Sequence, residues 1–214
     1  ATESNEKILL FTTGEHGVEG YVGSAMLQRF VEIYMPKLDP RKTGILLVHA
    51  INPWGMKHHR RGTAKNVDLN RTFIWNDGFE PTFNPDYDKI HTFLSPASTV
   101  KNIAVDNLKY MVGLFWHIAR MGMRNFRYAL LLGQYRHPQG LYYGGTETPE
   151  ETRTLMDLYR MALTDYEQVL QLDMHTGYGP RYQMSLVNSA LDTGTSEYFV
   201  KRFSYPLVVA ATAD

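Results

Sequence analysis

Apolar residues along this chain fall into two patterns: short unbroken runs, and longer stretches spaced by threes and fours. The first pattern belongs to buried strands and the second to amphipathic helices. Lys7–Thr13 (KILLFTT) ends at Gly14 and predicts a strand. From Val18 to Leu38, the residues Val22, Met26, Leu27, Phe30, Val31 and Tyr34 mark one face of a helix. Thr43–Ile51 predicts a second strand, closed by Asn52-Pro53 because proline cannot continue a ladder. Strand, helix and strand in immediate succession predict a crossover unit with parallel strands.

Helical spacing then covers Pro85–Leu94, Thr99–Met121, Asn125–Leu132 and Pro149–Tyr166, while Pro138–Thr148 carries the turn residues of a loop. Val169–Met174 predicts a third strand running into the turn His175–Pro180. Met184–Ala190 and Pro206–Ala213 predict further strands around a helix near Ser196–Phe203. With no repeat and no low-complexity linker, the expected organisation is a single α/β domain over residues 1–214. Its architecture would be three layers, α/β/α, with a mixed, mostly parallel sheet and helices on both faces.

Composition narrows the function classes. The 214 residues include 22 basic and 22 acidic side chains and no cysteine. Disulfide frameworks and thiolate metal sites are excluded. A net charge of zero predicts neither a nucleic-acid partner nor a polybasic membrane anchor. Apolar runs such as Pro206–Ala211 and Ala129–Leu132 fall far short of the ~20 residues that span a bilayer. The polar segment Ala1–Lys7 leads into no secretory-type hydrophobic stretch. The expectation is a soluble, cytoplasmic protein.

Candidate chemistry gathers just beyond predicted strand ends, where open α/β sheets bind ligands. Gly14-Glu-His16-Gly-Val-Glu19 follows the first strand and places an imidazole and a carboxylate three residues apart. His175 follows the third strand, preceded by Asp173. Zinc accepts two imidazoles and one carboxylate and keeps a fourth position for water. His16, Glu19 and His175 supply that set, with Asp173 on the opposite strand face or orienting a ligand imidazole. Adjacent His58 and His59 point apart and read as loop residues. The third feature is Asn66-Val-Asp68-Leu-Asn70-Arg71 with Arg60-Arg61 upstream. Arginine suits bidentate carboxylate recognition, and beside a metal it can stabilise an oxyanion. Taken singly, these features also have plain readings: a solvent-facing histidine, a glutamate favoured by a helix N-terminus, and a charged turn.

In this order, Gly14-x-His16-x-x-Glu19, Asn52-Pro53, Asn66-Val-Asp68-Leu-Asn70-Arg71-x-Phe73 and a distant His175 resemble the zinc carboxypeptidase-like metallopeptidases. The likeness is closest to the bacterial branch of uncharacterised predicted peptidases, through His-Gly-Val-Glu-Gly at 16–20 and Asp-Met-His-Thr-Gly at 173–177. The succinylglutamate desuccinylase and aspartoacylase branch is more distant. The resemblance implies one zinc ion on His16, Glu19 and His175, substrate carboxylate recognition by Asn70 and Arg71, and carbonyl polarisation by Arg60 or Arg61, with Arg61 preferred. It implies hydrolysis of a peptide or related amide bond next to a free carboxylate. Tyr142 and Tyr143 are candidates to line the substrate cleft.

That family also uses a late glutamate as general base. After His175 the acidic residues are Asp192, Glu197 and Asp214, and Glu197 lies in a helix-start context. The expectation is therefore a chain incomplete at its C-terminus, and at its N-terminus too, where it starts on the first strand. Two other readings remain open: an N-acyl amino acid deacylase using the same metal site, and a metal-holding protein without catalysis.

Overall fold

The computed structural model describes residues 6–74, 83–177, 179–188 and 194–210. Its contacts divide the chain into two compact units, Ala1–His175 and Thr176–Asp214. In the first, β1 (Lys7–Thr13) lies between β2 (Thr43–Val48) and β3 (Gln168–Met174), and both pairings are parallel. The helices are α1 (Gly20–Arg29), α2 (Pro53–Lys57), α3 (Pro85–Leu94), α4 (Ile103–Met121), α5 (Met123–Leu131) and α6 (Glu150–Asp165).

Strand alternation makes the three layers. Ile8 and Leu10 point to one face of β1, where they pack with Ala162, Tyr159 and Tyr166 of the α6 region. Phe11 and Thr13 point to the other. The Phe11 ring lies 4.8 Å from that of Phe30, and Thr13 fills the space over Gly23 of α1. A central strand covered on both faces reads as an unbroken apolar run, which is why KILLFTT is legible in sequence. Burying a side chain such as Leu10 (1% exposed) contributes roughly 1.5–3 kcal/mol.

Several boundaries move for identifiable reasons. The predicted helix Val18–Leu38 changes pitch along its length: a 3-10 turn at Gly17–Glu19, α1, a π turn at Phe30–Tyr34 and a 3-10 turn at Met35–Lys37. Pro36, which has no N–H to donate, sits in the last of these. The second strand ends at Val48 rather than Ile51 because Asn52 accepts the Gly55 N–H as the N-cap of α2, with Pro53 at its first position. Asn102 caps α4, so that helix begins at Ile103 instead of Thr99. Gly122 (φ +80°) separates α4 from α5.

The second unit contains β4 (Leu186–Asn188), α7 (Ser196–Phe203) and β5 (Val208–Ala210), with β4 and β5 paired in parallel. Residues 189–190 and 211–213 of the predicted strands lie outside the described residues. All strand pairings among the described residues are parallel, where the sequence pattern predicts a mixed, mostly parallel sheet.

Candidate metal centre

β1 ends in a turn that only glycine can make at two positions. Gly14 adopts φ +70°, and a Cβ on Gly17 would sit 2.2 Å from the backbone of Gly55 and Met56. This close approach seats the Gly17–Glu19 turn against the segment after α2. The Gly17 and Val18 N–H groups donate to the carbonyls of Arg61 (3.1 Å) and Arg60 (3.0 Å). Asn52 fastens the same place, donating to the Arg61 carbonyl from its side chain and to the Gly14 carbonyl from its backbone. His16 and Glu19 are thereby held three residues apart on one buried turn, 4% and 8% exposed. His175 arrives from the neighbouring strand, one residue past Met174, whose register partner is Thr13.

Three donor groups converge there. His16 Nδ1 lies 3.0 Å from Glu19 Oε1 and 3.2 Å from His175 Nδ1, and His175 Nδ1 lies 3.4 Å from Glu19 Oε2. Glu15 is also present: ligand atoms of Glu15, His16 and His175 lie within 4.8 Å of one another, a group that could hold a metal ion. Glu15, however, meets His175 at Nε2, 3.1 Å away, on the far side of the ring from the paired Nδ1 atoms.

Carboxylates face the outer nitrogens. His16 Nε2 lies 3.3 Å from Asp68 Oδ1 without an aligned hydrogen bond. Asp68 Oδ2 accepts from Arg61 Nε at 3.0 Å, and the Arg61 terminal nitrogen Nη1 is 4.0 Å from Glu19. His175 Nε2 contacts Asp173 Oδ2 at 2.5 Å, while Asp173 Oδ1 accepts the Thr12 hydroxyl proton at 2.7 Å. Asp173 therefore shares a face with Thr12, its register partner, and orients the His175 imidazole.

The electrostatics favour positive charge. Burial alone would lower the His175 pKa, but contacts with Asp173, Glu15 and Glu19 outweigh it and push the imidazole up to about 12. Burial opposes protonation of His16 as well, and Asp68 and Glu19 raise it in spite of that. Desolvation pushes Glu15 up, against the lowering effect of His175. Burial would raise Asp68, but His16 and Arg61 bring it down to about 2. Four carboxylates around two imidazoles and one guanidinium leave a negative surplus that a proton or a metal cation offsets.

The other residues singled out in the sequence are placed as follows. Arg61 reaches the centre with its side chain, its guanidinium 5.3 Å from the Tyr142 ring. Arg60 is exposed and contributes its carbonyl to Val18. Asn70 is exposed just after Asp68. Arg71 donates to the carbonyls of Asn70 (2.7 Å) and Leu131 (2.9 Å), and its buried Nε has no hydrogen-bond partner among the described residues. Tyr143, expected in the cleft wall, is 6% exposed, and its carbonyl accepts the Asp68 N–H at 2.7 Å. The loop turns at Tyr142 (φ +55°), which brings that ring to Arg61 and sends its neighbour inward. His58 and His59 follow α2; the His58 ring lies tilted against Trp54, and His59 stacks on Tyr21. Glu197 occupies the first turn of α7, in the other unit. Asp192 and Asp214 lie outside the described residues.

The sequence pattern assigns no role to Glu15 and carries Asp68 only within the Asn66–Arg71 motif. Spacing signals neither: Glu15 is hidden by its position next to a ligand histidine, and Asp68 acts from a separate 3-10 turn, Leu69–Arg71, that it caps.

By family, the chain belongs to the proteins described as protein of unknown function DUF2817, whose family model matches residues 1–206. Comparison with curated proteins and with solved structures gives no match.

Proposed function

We propose that His16, Glu19 and His175 hold one zinc ion and that the protein is a zinc-dependent hydrolase acting on a peptide or related amide bond next to a free carboxylate. The observation that supports this most is the convergence of the two Nδ1 atoms, 3.2 Å apart, on the Glu19 carboxylate, whose Oε1 lies 3.0 Å from His16 and whose Oε2 lies 3.4 Å from His175. Ligands about 2.0–2.1 Å from a tetrahedral ion sit about 3.3–3.4 Å from one another. Glu19 rather than Glu15 is the carboxylate ligand on this reading, because Glu19 faces both Nδ1 atoms.

When bound, zinc lowers the pKa of a coordinated water toward ~7 and polarises a carbonyl. The chain's own groups do the remaining work. Asp68 aligns His16 and holds Arg61, while Asp173 and Glu15 align His175. Arg61 presents a guanidinium beside Glu19, where it can stabilise a developing oxyanion. Asn70 and Arg71 are the proposed carboxylate-recognition pair. Substrates are peptides or N-acyl amino acids.

One observation favours the reading of a metal-holding protein with weak catalysis. Glu15, Glu19, Asp68 and Asp173 each contact a site histidine, so no described carboxylate at the centre stands apart as a general base. Zinc analysis of the purified chain, with hydrolysis of free and C-terminally amidated peptides and of N-acyl amino acids, tests both readings. Stoichiometric zinc with turnover of free-carboxylate substrates supports the hydrolase; zinc without turnover supports the other.

A further inference from the structure

Helix α4 is apolar on both sides. Inward, Leu114, Ile118 and Met121 pack on the cluster of Ile90, Phe126 and Ala129. Outward, Leu108 (66% exposed), Val112 (61%), Phe115 (65%) and Trp116 (53%) recur at helical spacing, with Val105 and Met111 beside them. An exposed apolar ridge of this kind marks a surface that meets something.

Charge says what. Residues 100–132 carry five basic side chains, Lys101, Lys109, Arg120, Arg124 and Arg127, against the single acid Asp106, a net charge of +4 in a chain whose total is zero. All five basic residues are exposed. At 100° per residue, Lys109 and Arg120 line one margin of the apolar ridge. Arg120 also lies over the Trp116 ring at 5.2 Å, and Arg124 over Tyr128 at 5.7 Å. On α4 itself the balance is Lys109 and Arg120 against Asp106, which Lys109 approaches at 3.7 Å, and two copies joined through this face would set like charge against like. An anionic surface is complementary to it.

We infer that the outward face of α4 docks this protein on an anionic lipid surface, lying along the interface without crossing it. Leu108, Val112, Phe115 and Trp116 enter the boundary between headgroups and acyl chains, and the flanking Lys and Arg side chains reach lipid phosphates. No helix among the described residues is long and apolar enough to cross a membrane, and an interfacial helix requires none. A net charge of zero over the whole chain averages over this local excess of basic residues.

The test is co-sedimentation of the full chain with vesicles of phosphatidylcholine alone or of phosphatidylcholine with one quarter phosphatidylserine, at low and high salt. The expected result is binding at least tenfold tighter to the anionic vesicles, weakened by salt. Leu108→Ser/Phe115→Ser should reduce binding at least tenfold, and Lys109→Glu/Arg120→Glu should remove the preference for anionic lipid. All four positions are exposed, and circular dichroism checks that the variants fold. Failure of the folded wild-type chain to bind anionic vesicles overturns the inference. So does binding that neither variant alters, or a stable dimer in solution that Leu108→Ser/Phe115→Ser dissociates. None of these outcomes depends on the metal centre.

Discussion

The Nδ1 atoms of His16 and His175 face each other at 3.2 Å, brought there from residues 159 positions apart by the parallel pairing of β1 and β3. Two imidazole lone pairs at that distance repel unless a proton or a cation lies between them. Asp173 and Glu15 hold the His175 ring at Nε2, and Asp68 lies 3.3 Å behind the His16 ring.

Metal affinity should therefore depend on pH. In the metal-free protein His175 keeps its proton up to about 12, and His16 is also raised, so binding must release protons. Between pH 6 and 8 the apparent zinc affinity should rise about tenfold or more per pH unit, as read by competition with a chelator of known affinity. A flat profile would show that the ion does not displace these protons.

Asp68→Asn should loosen His16 and Arg61 together. Loss of such an orienting carboxylate typically costs 10–100-fold in metal affinity. The metal-free protein should also lose a pH-dependent contribution to stability. With its pKa lowered from 3.8 to about 2, Asp68 contributes on the order of 2 kcal/mol that is fully present above pH ~4 and lost as pH falls through 2. Acid unfolding curves of the variant should be flatter across that window; an unchanged curve would remove Asp68 from the electrostatic account.

Arg71→Ala has two expected effects. It strips donors from the Asn70 and Leu131 carbonyls, costing about 1–3 kcal/mol in denaturant unfolding. It should also weaken free-carboxylate substrates while sparing amidated ones, and Arg71→Lys should not restore them fully, because an ammonium lacks the fork. Equal losses on both substrate types would leave Arg71 with the stabilising role alone.

Gly17→Ala tests the turn. The added methyl would meet the backbone of Gly55 and Met56, which cannot yield as a side-chain tip can. Destabilisation of about 1–3 kcal/mol, together with a loss of metal affinity, is expected from calorimetry and zinc titration. Wild-type stability in this variant would mean that the two segments separate without consequence for the site.

What the sequence disclosed, and what it concealed, follows from how each feature is encoded. KILLFTT is legible because both faces of a central parallel strand demand apolar residues, whereas the third strand, at the edge of the described sheet, shows itself by alternation, with Val169 on the apolar core and Gln171 between apolar neighbours. His16 and Glu19 are legible because a single short turn carries both. Helix α2 is hard to see in sequence because a proline after a strand reads as a breaker, although Asn52-Pro53 is also an N-cap followed by a first helical residue. Glu15 and Asp68 acquire their roles from contacts across the fold, which no local spacing records. The apolar spacing of α4 predicts a helix, and only exposure shows that its second apolar side is uncovered.

The central claim is most directly tested by anomalous diffraction at the zinc edge from crystals of the zinc-loaded protein. The account predicts one ion bonded to His16 Nδ1, His175 Nδ1 and a Glu19 oxygen, with nitrogen distances of about 2.0–2.1 Å. An ion bonded to Glu15 or to His175 Nε2 in place of these atoms, or a protein that takes up no stoichiometric zinc, would contradict it.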